Sequence, residues 1–321
     1  MQLSLVRPLL PLVLCTLTGP AAAHGAGAAT GSAETVFGQG GSLEASTVVP
    51  LAMATGWYAL GLQRAIRERR TELVSTGRTI AFVAGMLVLV LALESPLDRL
   101  SEDLFSAHMV QHLLLMLAAP PLLVTSDCLG IFLRAFPAPG RKCLVRLWRG
   151  ARLHRATDIL MHPLPVFILF NGSFVFWHAP GPYQWALQNN GLHILEHLSF
   201  FLSALMFWSV VLPAAGHRRR LAHGPALLMI VATAVLSGLP GALMIFAPRP
   251  LYPGHADGVM KWGLSPMQDQ ELAGLIMWIP AGSAYVLAAA LVFLGWLDEA
   301  EARASRDQRR AAASLQHVRP G

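Results

Sequence analysis

The feature that most limits what this chain can fold into is the recurrence of apolar segments about the width of a bilayer. They fall near residues 48–66, 79–95, 104–125, 159–177, 192–213, 222–246 and 271–296. A hydrocarbon core about 30 Å thick takes roughly 20 apolar residues in helical form. With 54% of 321 residues hydrophobic, 13% charged and a mean hydropathy of +0.51, the chain is too apolar for a soluble domain of this length. The expected fold is therefore all-α, an integral membrane bundle of about seven transmembrane helices with no separate soluble domain.

The basic residues orient the bundle. Five arginines lie in 64–78, six arginines and a lysine in 126–158, three arginines in 214–222 and five from 297 onward, so alternate loops hold 20 of the 24 Lys and Arg residues. The acids Glu94, Asp98, Glu102, Asp103, Asp257, Asp269 and Glu271 collect on the opposite side. Positive loops stay in the cytoplasm, which predicts the N-terminus outside and the C-terminus inside. The net charge of +6 is thus a topological signal, and no nucleic-acid module accompanies it.

Residues 1–23, with Arg7, an apolar run and Ala21–Ala23, have the form of a signal peptide. Residues 24–46, rich in Gly, Ala and Ser, read as a flexible exported arm. The seven-helix domain then spans 47–297, and 298–321 form a cytoplasmic tail. Of the three cysteines, Cys15 falls in the leader while Cys128 and Cys143 share one basic loop, so no disulfide framework is implied.

The chemistry gathers at the outer helix ends. In the third segment His108 and His112 are four residues apart and share a helical face. The fifth begins with the same spacing at His193 and His197, and the fourth ends at His178. Five histidines on three helices thus reach a similar depth, with Gln111 and Glu196 as neighbours able to fix imidazole orientation. A single histidine near a helix end commonly just hydrogen-bonds in the polar interface. Two i,i+4 pairs at one depth point further, to a metal site, because neutral imidazole ligates copper, zinc and haem iron and polar groups at membrane depth are costly.

The outer loop between the last two segments holds Tyr252-Pro-Gly-His255, Met260 and Met267, and thioether with imidazole suits Cu(I). Asp269 and Glu271, at the mouth of the last helix, can attract cations or simply complement a solvated helix N-terminus. Two rival readings stay open. His from two helices can clamp a haem, as in a membrane electron carrier, and His193-Ile-Leu-Glu196-His197 also matches the inverted zinc-protease pattern of an intramembrane enzyme. No Walker, Rossmann, kinase or nucleophile-elbow pattern is present.

Several long stretches resemble the CtaG family of multi-span cytochrome c oxidase assembly factors. They are Ser95-Pro-Leu-Asp98, Ser106-Ala-His108-Met-Val-Gln111-His112 through Pro121, Phe176-Trp177-His178 with Tyr183, Leu192-His193 through His197-Leu-Ser-Phe, Leu251-Tyr252-Pro253 and Asp269-Gln-Glu271 through Pro280. The similarity covers roughly residues 45–297. It implies a bacterial inner-membrane protein needed for haem-copper oxidase maturation, with copper as cofactor or cargo, the oxidase catalytic subunit as partner and no established enzyme reaction.

Overall fold

A computed structural model describes residues 45–70, 72–212 and 221–317. The expected leader, the arm up to residue 44, residues 213–220 of the third basic loop and the last four residues lie outside the described residues. Among the described residues every regular element is a helix.

In chain order these are α1 (Ala45–Arg67), α2 (Thr76–Leu93) and the short α3 (Pro96–Asp103), followed by α4 (Phe105–Thr125). Next come α5 (Cys128–Arg134), α6 (Ala138–Arg149) and α7 (Ala151–Leu160), then α8 (Pro163–Trp177) and α9 (Pro180–Gln188). The remainder are α10 (Asn190–Val211), α11 (His223–Phe246), α12 (Ala256–Met260) and α13 (Pro266–His317).

Five of them, α2, α4, α10, α11 and α13, are long and apolar enough to cross a bilayer. A sixth span exists if α7 and α8 are taken together, although they meet at a 63° bend. The bend has a sequence cause. Proline disfavours helical backbone at the residue before it, and His162, preceding Pro163, is extended (φ −69°, ψ 141°). The segment expected at 159–177 is therefore broken, and its straight part has 15 residues. α1 has the length, 23 residues, but is less apolar than the five. Five to six of the seven expected spans thus stand on length and apolarity. α13 runs on through the region expected as the tail, as far as His317.

α4 carries an irregularity that matters for the site. Directly after His112 it opens into a π-helical turn, Leu114–Ala118, in which the Ala119 N–H bonds the Leu114 carbonyl five residues back. Pro120 follows and has no N–H to return to the preceding turn. The Met116 carbonyl is met instead by the Trp208 indole N–H of α10 at 2.9 Å, so a defect in one helix becomes a bond to its neighbour.

Two apolar clusters hold the bundle. One joins α4, α8, α10, α11 and α13 through Phe170, Phe200, Phe207, Trp208, Ile230 and Tyr285. The other joins α1, α2, α4 and α5 through Tyr58, Phe82, Leu115 and Ile131, with Tyr58 and Phe82 stacked at 3.7 Å. α11 and α13 cross closely at Gly241 and Gly274. A Cβ on Gly274 would lie 2.7 Å from the Gly241 carbonyl oxygen, so only glycine allows that approach. Inside the bundle Asn171 of α8 donates to Thr233 of α11 at 3.1 Å, while Leu228, Phe246 and Val286 stand at least 68% exposed on its outer surface. Bare apolar side chains of this size are what a lipid-facing surface presents.

The two ends differ in chemistry. At one, Arg134 and Arg141 converge on Glu68, Arg78 pairs with Asp127 at 3.4 Å, and His223 lies 3.9 Å from Glu299. The other end holds the starts of α4, α10 and α13 and the end of α8, and the histidines gather there.

Candidate metal centre

The start of α4 is pinned before its histidines begin. Leu104 is extended (φ −120°, ψ 121°) and offers no side-chain cap, leaving first-turn N–H groups to find other acceptors. Asp269 supplies both, its Oδ2 accepting from the Phe105 N–H at 2.7 Å and its Oδ1 from the Ser106 N–H at 3.1 Å. One turn on stands His108, and a further turn on His112, buried at 1% and 2% exposure.

α10 is capped by Asn189, whose side chain accepts the Leu192 N–H at 3.1 Å. This places His193 in the first turn and His197 in the next. Both rings face those of α4: His193 lies 5.2 Å and His197 5.8 Å from His108, and His197 lies 5.4 Å from His112, between ring centroids. His178 follows the last residue of α8, 5.5 Å from His112. Its Nδ1 donates to the Phe174 carbonyl at 2.7 Å, which fixes the tautomer and leaves the Nε2 lone pair without a hydrogen-bond partner among the described residues. The five histidines expected at one depth are therefore also together in azimuth.

Glu196, on the same turn of α10, is fully buried. Its Oε1 lies 3.7 Å from His112 Nε2, and neither carboxylate oxygen has a hydrogen-bond donor among the described residues. A buried carboxylate left so is expensive unless a cation or proton joins it. His108 Nε2 and His112 Nε2 lie 2.9 Å apart, and two imidazole nitrogens so placed share either a hydrogen or a metal ion. Ligand nitrogens about 2.0–2.1 Å from a tetrahedral ion lie roughly 3.3 Å from each other, a spacing that 2.9 and 3.7 Å bracket. Two donor sets, His108/His193/His197 and His108/His112/Glu196, each bring their ligand atoms within 4.8 Å of one another. The residues present fit a small metal ion.

Other expected residues have different work. Gln111 directs its amide hydrogens away from the imidazoles, to the Ala92 carbonyl and to Asp98 Oδ1, both at 2.8 Å, and so ties α4 to α2 and α3. Asp269, read from sequence as a residue of the outer mouth, is 1% exposed and caps α4. Glu271 is half-buried near the start of α13. Cys128 and Cys143 belong to the opposite end, where burial pushes the Cys128 thiol up to about 12. His154, on α7 toward that same end, pairs with Asp158 at 2.6 Å.

A sixth histidine joins the cluster from the loop before α12. His255 lies 6.0 Å from His108 between ring centroids. Its Nδ1 donates to the Glu102 carbonyl at 3.1 Å, so its Nε2 accepts from the Tyr183 hydroxyl at 2.7 Å. Burial holds His255 below the ordinary imidazole range, against the opposing pull of the Glu102 carbonyl and of Asp269 and Asp103. Burial, reinforced by the charge of Glu196, pushes the Tyr183 hydroxyl well up, so the phenol keeps the proton it donates. Tyr252 donates to the His178 carbonyl at 2.6 Å and stacks on Phe105 at 4.4 Å. The loop comes this close because Gly258 lies against Asp103, where a Cβ would be 2.6 Å from its Cα. Sequence placed His255 beside loop methionines as a copper route, and its own clue was the family-like Leu251-Tyr252-Pro253 immediately before it. Met260 of that route is 65% exposed.

A sequence profile of the cytochrome c oxidase caa3 assembly factors (Caa3_CtaG) matches residues 56–299. The chain belongs to this family. Curated relatives include uncharacterised proteins of Mycobacterium bovis (Mb0105) and Mycobacterium tuberculosis (MT0111), each 26% identical over 276 residues, covering 83% of this chain and 40% of the relative. Another, from Mycobacterium leprae (ML1998), is 26% identical over 281 residues, covering 84% and 41%. The chain spans about two-fifths of the length of these relatives. No solved structure matches. The Caa3_CtaG match takes in all six clustered histidines, Glu196 and Asp269, and it ends where α13 turns polar.

Proposed function

We propose that this Caa3_CtaG protein spans the bacterial inner membrane seven times, with its N-terminus outside and its C-terminus inside. Its outward-facing histidine cluster carries copper, as Cu(I), for the catalytic subunit of a haem-copper oxidase. The observation that carries the reading is the convergence of His108 Nε2, His112 Nε2 and the donor-less carboxylate of Glu196. Imidazole donors suit copper, the buried carboxylate supplies the opposite charge, and delivery to an oxidase's copper centre is an assembly task. The cluster would hold copper as cargo. His108, His112, His193, His197 and His178 would supply nitrogen donors, and the Phe174 carbonyl would keep the His178 Nε2 lone pair available.

The rival reading, a haem clamped between histidines of α4 and α10, is left weaker by the same geometry, because those rings already lie 5.2–5.8 Å apart between centroids, too close for an ion with a bond of about 2.0–2.1 Å to each ring in line. A zinc-protease reading needs Glu196 as base beside zinc on His193 and His197, whereas its carboxylate lies toward His112.

Replacing His108 and His112 together by alanine should weaken Cu(I) binding to the purified protein at least ~10-fold, about 1.4 kcal/mol, with insertion and abundance kept. Deleting the gene should leave the oxidase catalytic subunit synthesised but poor in copper, with haem falling less. Fully copper-loaded oxidase in the deletion strain under copper limitation, with no paralogue substituting, would refute the function. Reporter fusions should place 126–158 in the cytoplasm and 178–191 outside, and an exported reporter at residue 140 would reverse the topology.

A further inference from the structure

We propose that the cluster provides two overlapping copper positions, used in sequence, with His108 as the ligand common to both. The inference rests on the copper reading above and adds an order of events to it. The half-buried set, His108/His193/His197, receives the ion. The buried set, His108/His112/Glu196, holds it.

Three observations carry the proposal. First, the two donor sets share one residue and differ in the other two, so a single imidazole can stay attached while the remaining ligands exchange. Second, the sets differ in access. The rings of His193 and His197 are half-buried although their Nε2 atoms are enclosed, whereas His112 and Glu196 are 2% and 0% exposed over the whole residue. His193 lies in the first turn of α10 and His112 two turns into α4, so one set is nearer the helix mouths. Third, the sets differ in charge. The half-buried set has three neutral donors, while the buried set contains a carboxylate with no hydrogen-bond donor among the described residues. A monovalent ion moving from the first to the second gains a neutralising partner in a low-dielectric setting, where opposite charges attract most strongly.

The step is a ligand exchange. Coordinate bonds to His193 and His197 break as bonds to His112 Nε2 and Glu196 Oε1 form, the proton that Glu196 holds while no cation is beside it passes to an imidazole that copper has released, the bond to His108 persists, and copper keeps its oxidation state. Only one ion is held at a time, because two cations sharing His108 beside one carboxylate would repel each other. The arrangement suits a carrier. A neutral set nearer the helix mouths exchanges its ion readily, and a deeper, charge-matched set protects it from competing ligands.

The test uses the full chain purified in detergent, with Cu(I) supplied anaerobically from a chromophoric chelator. Loading rate is followed by stopped flow, affinity by equilibrium competition and ligand type by X-ray absorption. The H193A/H197A variant should load at least ~10-fold more slowly than the parent and lose less affinity than the H112A/E196Q variant. The H112A/E196Q variant should bind at least ~10-fold more weakly, with nitrogen ligands alone, and lose less loading rate than the H193A/H197A variant. H108A should be impaired in both. Glutamine in place of each histidine, which keeps polarity, replaces any alanine variant that loses folded protein. If the two double variants change rate and affinity alike, or the parent binds two ions, the sequential scheme is wrong and the copper reading stands. If the parent binds no Cu(I), the copper reading itself fails.

Discussion

Glu196→Gln separates a metal ligand from a structural ion pair, because the two roles predict opposite signs. In the metal-free protein the carboxylate is fully buried, its oxygens lack hydrogen donors among the described residues, and the nearest titratable nitrogen is 3.7 Å away on His112. Glutamine keeps the shape without an ionisable group, and its amide can donate to an imidazole nitrogen. The variant without copper should therefore be as stable as the parent or more so, by up to about 1–3 kcal/mol, the cost of leaving a buried polar group unsatisfied. With copper the sign reverses. A unit charge even 4 Å from an ion is worth roughly 4 kcal/mol at an effective dielectric near 20, a ligating carboxylate lies closer, and desolvation offsets much of the gain, so a loss of ~10–100-fold in affinity is expected. At a Cu(I) concentration of about 100 times the parental Kd, binding stabilises the fold by about 2.7 kcal/mol; if Kd rises 100-fold the gain falls to about 0.4 kcal/mol. Thermal unfolding with and without Cu(I), read by circular dichroism, measures both. A less stable copper-free variant whose copper-induced shift matches the parent's would refute the reasoning and make Glu196 a structural partner of His112.

The other predictions concern the scaffold. Gly274→Val forces a side chain into the space where a Cβ would already sit 2.7 Å from the Gly241 carbonyl oxygen, and should destabilise the α11–α13 crossing by about 1–3 kcal/mol, seen as a lowered Tm; an unchanged Tm would show that the helices can part freely there. Trp208→Phe leaves the Met116 carbonyl unmet beside Pro120 and should cost about 1–3 kcal/mol, with fast amide exchange at the π-helical turn as a second sign. Asp269→Ala removes the acceptor of two N–H groups at the start of α4. It should cost about 0.5–2 kcal/mol and also lower copper affinity through displacement of His108, whereas Glu271→Ala should do neither.

Helix type, five of the seven span lengths and the pairing of histidines along each helix were legible in the sequence, because hydropathy and a period of 3.6 residues are local properties. His108 with His112, and His193 with His197, had to share a face whatever the bundle did, and the alternation of basic loops placed both pairs at one end. Local rules do not determine which way a face turns. The rotation of α4 against α10 depends on the π-helical turn after His112, the Trp208 bond to Met116 and the packing of Phe200 and Phe207, and only the assembled bundle brings the two histidine pairs ring to ring. The same holds for residues whose partners are distant in sequence. Asp269 caps a helix that begins 164 residues earlier, Gln111 turns to Ala92 and Asp98, and His255 reaches Tyr183 across 72 residues. Chemical identity and depth were written locally. Azimuth and the choice among acceptors were decided by tertiary packing, since each depends on which surfaces the close helix crossings bring within bonding distance.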